Sequence, residues 1–198
     1  MATAAILPVK RFDHAKQRLR RGAAERSVTD LVQTMFTEVL SALEQAAELE
    51  GIVVVTNDPT AKLIARERGV EVIDDREQGH NFAAVQGILH ALARDADRAL
   101  LVPGDCPMLD PEDVDELIRR RAATPSALIV PDRHGTGTNA LLLTPPDAIG
   151  PSFGPDSCAR HQRIAADAGV GCEVVHVSSL ALDIDTPDDL AAMTRARC

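Results

Sequence analysis

Leu100-Leu101-Val102-Pro103-Gly104-Asp105-Cys106-Pro107-Met108-Leu109 decides the fold. Ala99 to Val102 is an apolar run of strand length. It breaks at Pro103-Gly104 and presents one carboxylate, Asp105. Asp110-Pro111-Glu112-Asp113 then opens a helix with Val114, Leu117 and Ile118 at apolar spacing. A strand that stops, shows an acid and turns into a helix marks the carboxyl edge of a parallel sheet. Open α/β sheets bind their ligands at that edge. Asp105 is therefore the first candidate for chemistry, as a metal ligand.

Outward from this stretch, strands and helices alternate. Thr3 to Val9 reads as the first strand, and the cationic run Lys10 to Gly22 as a loop. Ser27 looks like an N-cap with Asp30 three residues on, opening a helix to about Leu49 that stops at Gly51. Ile52–Val55 is β-branched, a central parallel strand. A helix from about Thr60 to Arg68 and a brief strand, Val70–Ile73, follow. Phe82, Val85, Ile88, Leu89 and Leu92 mark a helix to about Asp95. Beyond the opening stretch, Ala127–Val130 and Asn139–Leu143 read as strands of a hairpin-like excursion. Pro155–Ala168 reads as a helix, Glu173–Val177 as a strand, Leu180–Ile184 as extended, and Pro187 to about Ala196 as a final helix. This predicts an α/β fold over residues 1–198 as one domain, a three-layer αβα sandwich with a mostly parallel sheet.

Composition narrows the function. Of 198 residues, 45% are apolar, with no Trp or Tyr and four Phe, so a packed core is expected and nucleic-acid binding by base stacking is not. The net charge of −9 is uneven: residues 1–26 hold seven Lys or Arg against two acids, and the remainder 14 basic against 28 acidic residues. A basic arm on an acidic body suits a phosphate-rich small molecule. Arg18, Arg20, Arg21 and Arg26 equally suit a solvated face. No segment approaches membrane-spanning length, and the start is wrongly flanked for a secretory signal. A cytoplasmic protein, monomer or homodimer, is expected, and Cys106, Cys158, Cys172 and Cys198 show no CxxC spacing.

A second acidic feature is Leu182-Asp183-Ile184-Asp185-Thr186-Pro187-Asp188-Asp189. In an extended segment Asp183 and Asp185 share a face, with Leu182 and Ile184 turned to the core. Two adjacent carboxylates repel unless a proton or a cation joins them, and a hard divalent ion such as Mg²⁺ suits them. Thr186, Pro187, Asp188 and Asp189 suit a helix start instead. The arm Lys10-Arg11-Phe12-Asp13-His14-Ala15-Lys16 leaves the first strand with two lysines that can face triphosphate oxygens, although it is no Walker A loop. Gly135-Thr136-Gly137-Thr138-Asn139 and Phe153-Gly154-Pro155-Asp156-Ser157 permit close backbone approach and an anion at a helix start; ordinary turns and caps account for them equally. Glu77-Gln78-Gly79-His80-Asn81 can read a purine edge or merely cap a helix. His14, His80, His134 and His161 lack metal-ligand spacing and read as structural or solvent-facing.

Together LPVKxxxxAKxRL, VPGDCPxL, GTxTNAL, FGPxSxxRH and LDIDTPxDL, in this order over nearly the whole chain, resemble the guanylyltransferases of coenzyme F-420 biosynthesis. That family includes 2-phospho-L-lactate guanylyltransferase and its phosphoenolpyruvate-using relative. The resemblance implies a GT-A, Rossmann-like nucleotidyltransferase fold. It implies GMP transfer from GTP to a phosphorylated three-carbon acid, with Mg²⁺ and pyrophosphate release. It further implies that Asp105, Asp183 and Asp185 hold magnesium, that Lys10 and Lys16 handle the GTP phosphates, and that Gly79 and Asn81 hold the guanine. Thr138, Gly154 and Ser157 would bind the carboxylate of the acid. Rival readings are a nucleotidyltransferase for 3-phosphoglycerate, a molybdenum cofactor or a sugar phosphate, and a non-catalytic GTP sensor.

Overall fold

A computed structural model describes residues 1–13, 15, 16, 19, 25–120 and 123–196. The readings made of His14, Arg18, Arg20, Arg21 and Cys198, and of the Arg26 side chain, lie outside the described residues. The elements in chain order are β1 (Thr3–Val9), α1 (Glu25–Gln45), β2 (Gly51–Thr56), α2 (Pro59–Glu67), β3 (Glu71–Ile73), α3 (His80–Ala93) and β4 (Arg98–Leu101). They continue with α4 (Pro111–Arg119), β5 (Ser126–Pro131), β6 (Thr138–Thr144), α5 (Ser157–Asp167), β7 (Gly171–Val174), a 3₁₀ turn at Ser178–Leu180, and α6 (Pro187–Ala196).

The strands form one sheet in the order β3-β2-β1-β4-β6-β5-β7. Every neighbouring pair is parallel except those of β6, which runs antiparallel to both β4 and β5. The chain leaves β1 towards β2 on one side and returns to pair β4 on its other side. The crevice of an open sheet lies at such a reversal, and it puts Lys10, after β1, beside Asp105, after β4.

Strand residues alternate between two cores. Ala5, Leu7 and Val9 of β1, Leu100 of β4 and Leu142 of β6 join α1 and α4 on one face. Ile6, Leu101, Leu141 and Leu143 join α3 and α5 on the other. A period of two with both faces covered is what gives central strands their continuous apolar runs. Helix α3 lies very close to β1: a Cβ on Gly87 would stand 2.2 Å from Ile6 Cγ2. That contact sets the start of α3 over the end of β1. Asp58 caps α2 by accepting from Thr60 N (2.8 Å) and Ala61 N (2.9 Å). Its second oxygen accepts from Phe12 N at 2.8 Å, which ties the arm after β1 to the frame. Phe12 itself is buried against Phe36, the ring centroids 5.7 Å apart.

Several expected boundaries change. Helix α1 begins at Glu25, so Ser27 lies inside its first turn and is not its N-cap, and the helix ends at Gln45, short of Leu49. β5 and β6 are no excursion: β6 sits between β4 and β5 within the main sheet. The last strand is Gly171–Val174 and not Glu173–Val177. It is the sheet edge and exposed at every residue, so no apolar alternation marks its position. Leu180–Ile184 is not a strand; the chain makes a 3₁₀ turn and then runs irregularly to Thr186. Among the described residues no helix is long and apolar enough to cross a membrane.

Candidate active site

A crevice of about 670 Å³ opens at the carboxyl edge between β1, β4 and the start of β6. Asp105, Asp183 and Asp185 line it, with Lys10 and Lys16 of the arm and with Thr138, Gly154 and Ser157. A second lobe of about 270 Å³ lies under the loop before α3, between Lys10, Asn57, Glu77 and Gly79. Pro8, Val9, Lys10 and His80 line both lobes and form the partition between them.

The acids are placed by backbone and by polar braces. Asp105 follows the last residues of β4, and its carbonyl accepts from Ile184 N at 3.1 Å. Ile184 is fully buried, which turns Asp183 and Asp185 outward without a strand. Asn139 Nδ2 donates to Leu180 O (2.7 Å) and to Asp183 Oδ1 (3.3 Å), which orients that carboxylate. Asp189 Oδ2 accepts from Asp185 N (3.1 Å), Thr186 N (2.7 Å) and Thr186 Oγ1 (2.8 Å). The expected capping role of Asp189 is therefore observed, and Arg133 reinforces it through an ion pair at 2.5 Å.

The carboxylates leave a strong electrostatic mark. Burial raises the Asp183 pKa, and the like charges of Asp105 and Asp185 raise it further. Lys16 Nζ bonds both Asp105 Oδ2 and Asp185 Oδ1. Burial alone would lower the Lys16 ammonium, but the two carboxylates outweigh it and raise its pKa well above the usual lysine value. Lys16 reaches them from a left-handed backbone with φ of 55°, a conformation that costs roughly 1–2 kcal/mol outside glycine.

The fit to magnesium follows from this donor set. Among the described residues no three His, Cys, Asp or Glu groups close on a point as a complete metal cage. Mg²⁺ does not require one, since it keeps waters and takes one or two carboxylates together with substrate phosphates. Three carboxylates on one crevice, two of them already sharing a cation in Lys16, suit it. Cys106 stands beside the acids, but burial and then Asp105 raise its thiol pKa well above normal, so it stays neutral. It is a buried, inert thiol, as is expected of a cysteine in this setting.

On the other side of the crevice, the β5–β6 turn is folded around Asp132. Its Oδ1 accepts from His134 N (3.1 Å) and Thr136 N (2.9 Å). A Cβ at Gly137 would lie 2.7 Å from Asp132 Oδ2, so a side chain there would push that carboxylate aside. The 152–155 loop is gripped from two helices. Asn81 in the first turn of α3 donates to Phe153 O (3.2 Å) and accepts from Phe153 N (2.7 Å). Arg160 of α5 donates to Ser152 O and Oγ and to Pro155 O. His161 accepts from Ser152 N at 2.8 Å and bonds Thr138 Oγ1 at 3.0 Å.

The sequence-derived residues thus converge on one edge, with one separation. Gly79 lines the second lobe and is the N-cap of α3, but Asn81 spends both ends of its amide on Phe153 and does not line that lobe. The sequence assigns no separate role to Asn139, Asp132 or Arg160, and reads His80 and His161 as structural or solvent-facing; both make structural contacts. Asn139 and His161 stand inside the GTxTNAL and FGPxSxxRH motifs, which was the available signal. His80 is half-buried near Lys10; burial first, then that charge, lowers its pKa, and its ring meets Phe153 edge-on at 5.3 Å.

Comparison with known proteins gives the family. The family model described as guanylyl transferase CofC like matches residues 3–194. A phosphoenolpyruvate guanylyltransferase of Conexibacter woesei is 48% identical over 195 residues, covering 98% of this chain and 87% of that protein. A 3-phospho-D-glycerate guanylyltransferase of Colwellia psychrerythraea is 35% identical over 190 residues, covering 96% and 90%. The solved structure of a nucleotidyl transferase from Methanothermobacter superposes with a TM-score of 0.71 at 15% identity, over 98% of this chain and 97% of that one, which shows a shared fold. With a match running from β1 to α6 and a relative 48% identical over nearly the whole chain, the chain belongs to the CofC-like guanylyl transferase family.

Proposed function

We propose that this protein transfers GMP from GTP to phosphoenolpyruvate and releases pyrophosphate, as a step of coenzyme F-420 biosynthesis. The observation that carries the reading is the two-lobed crevice. Lys10 stands at the partition, a base-sized lobe lies on one side, and the carboxylates, Lys16 and the anion donors lie on the other. The choice of acceptor is supported by the 48% identity to the Conexibacter phosphoenolpyruvate guanylyltransferase.

In this reading the guanosine occupies the lobe beside Gly79, and the triphosphate crosses the partition at Lys10. The acceptor carboxylate lies against Thr138, Gly154 and Ser157, so its phosphate faces the acids. One acceptor phosphate oxygen attacks the α-phosphorus of GTP in line, and the bond to the β-phosphate oxygen breaks. No protein nucleophile is needed, because the acceptor phosphate is already ionised. Asp105, Asp183 and Asp185 would hold Mg²⁺, which supplies charge neutralisation between the two anions and at the transferring phosphoryl group. Lys10 and Lys16 meet the charge that develops on the departing pyrophosphate. Asn139 and Asp189 hold the acidic run in place, and Asn81 and Arg160 hold the acceptor loop.

The test offers phosphoenolpyruvate, 2-phospho-L-lactate and 3-phosphoglycerate together, with GTP and Mg²⁺, and identifies products by mass. Guanylylated phosphoenolpyruvate as the main product, with stoichiometric pyrophosphate, is expected. Product formed only from another acid overturns the acceptor assignment, and GTP binding without any product overturns catalysis.

A further inference from the structure

His161 is fully buried, yet both its ring nitrogens are committed. Nε2 faces the backbone N–H of Ser152 at 2.8 Å. A backbone N–H can only donate, so Nε2 must carry a lone pair and the ring hydrogen must sit on Nδ1. Nδ1 lies 3.0 Å from Thr138 Oγ1, so the imidazole donates to the hydroxyl and the hydroxyl accepts. Thr138 cannot return its own hydrogen to His161. That hydrogen is left for another acceptor, and Thr138 lines the crevice.

Three surroundings keep the ring in this state. Phe153 meets it edge-on at a centroid distance of 5.3 Å, which limits a ring flip. Burial lowers its pKa to about 4, and the Arg160 guanidinium adds to the shift. The Ser152 amide would oppose a hydrogen on Nε2.

We propose that His161 is a positioning residue that fixes the polarity of Thr138, making its hydroxyl a one-way donor aimed at the carboxylate of the acceptor. The proposal rests on the reading of Thr138 as a carboxylate ligand. It goes beyond that reading by naming what sets the direction of the hydrogen bond. A carboxylate accepts from such a hydroxyl with full charge assistance, whereas the neutral amide of the same acid accepts more weakly. Discrimination between acid and amide therefore depends on the imidazole, which touches neither.

The experiment is a cycle of Thr138→Val, His161→Gln and the double variant, with the Michaelis constants of GTP and the acceptor measured for each. The acceptor used is whichever phosphorylated acid the wild type turns over. Glutamine can still accept from Ser152 N but cannot reproduce the Nδ1–H donor. The expected result is an acceptor KM raised about tenfold by either single change, the scale of one charge-assisted hydrogen bond. GTP KM should stay unchanged, and the double variant should be no worse than Thr138→Val alone. His161→Asn, which can keep a donor near Nδ1, should recover most of the acceptor affinity. Should His161→Gln fold poorly, this asparagine variant and calorimetric binding of the acceptor to the folded fraction decide the matter. An unchanged acceptor KM in Thr138→Val overturns the ligand reading beneath the proposal. An impaired Thr138→Val beside a harmless His161→Gln, or penalties that add in the double variant, overturns the proposal alone. So does a His161→Gln penalty that falls equally on GTP.

Discussion

The two flanks of the crevice are built in different ways. On the β1–β4 flank, Lys10 and Asp105 follow the ends of neighbouring parallel strands, so the sheet itself places them. On the β6–α5 flank, Thr138 begins a strand, Ser157 begins a helix, and Gly154 sits in a loop. Nothing in the sheet fixes their mutual distance. Side-chain to backbone bonds from Asn81, Arg160, His161 and Asp132 do it, together with the backbone bonds from Cys158 N to Thr136 O (3.0 Å) and from Ser157 N to Gly154 O (3.1 Å). One flank is positioned by topology and the other by polar bracing. Damage to the first should therefore harm chemistry or folding, whereas damage to the second should harm acceptor binding selectively.

The largest effect is expected from Asp105→Asn. Loss of one preorganised charged element at the transferring phosphoryl group should lower kcat by roughly 100-fold or more, read as pyrophosphate release at saturating substrates. Near-normal turnover would remove Asp105 from the chemistry. Gly87→Ala strikes the frame of the same flank. Its methyl must displace Ile6, an overpacking that costs about 1–3 kcal/mol, measured by denaturant titration. An unaltered midpoint would show that α3 can lift from β1 freely. Asn81→Ala tests the braced flank: acceptor KM should rise about tenfold for the loss of its hydrogen bonds to Phe153, with GTP KM little changed. A rise in GTP KM alone would return Asn81 to guanine recognition and blur the division between flanks.

The smallest effect is in pH dependence. The folded pKa of His161 lies near 4, below its ordinary 6.5. Its neutral form is thus favoured by folding. The stability it contributes is complete above the ordinary pKa and declines as pH falls from about 6.5 towards 4, because the unfolded chain binds the proton first. His80, also lowered, steepens the same limb. Unfolding free energy of the wild type should fall across this window more steeply than that of His161→Gln. Parallel curves would mean that the ring is not held neutral.

The same division explains what could be read in the sequence. Strand-turn-acid-helix patterns announce the topological flank, and Asp105 was legible because Pro103-Gly104 ends an apolar run. The braced flank was legible only as motifs, since its partners lie far apart in the chain: Asn81 with Phe153, Thr138 with His161. Lys16 and its two acids are separated by 89 and 169 positions, so the arm could be read as cationic but not as anchored. Asp183 and Asp185 alternate with buried Ile184 as a strand would, yet the segment is irregular. Asn139 and the Asp105 carbonyl hold it there in place of ladder bonds. β7 was displaced because an exposed edge strand carries no apolar rhythm.

The single antiparallel strand, β6, has a consequence for how this molecule can diversify. A loop that follows a parallel strand must deliver the chain into a helix that crosses back over the sheet, so its length is constrained by the crossover. The turn between β5 and β6 joins two adjacent strands and has no such errand. Residues can be added there at a cost that grows only slowly with length, and no helix need shift. The β5–β6 rim of the crevice is thus the adjustable part of the fold. Insertion there would deepen or narrow it while the β1–β4 flank stays fixed.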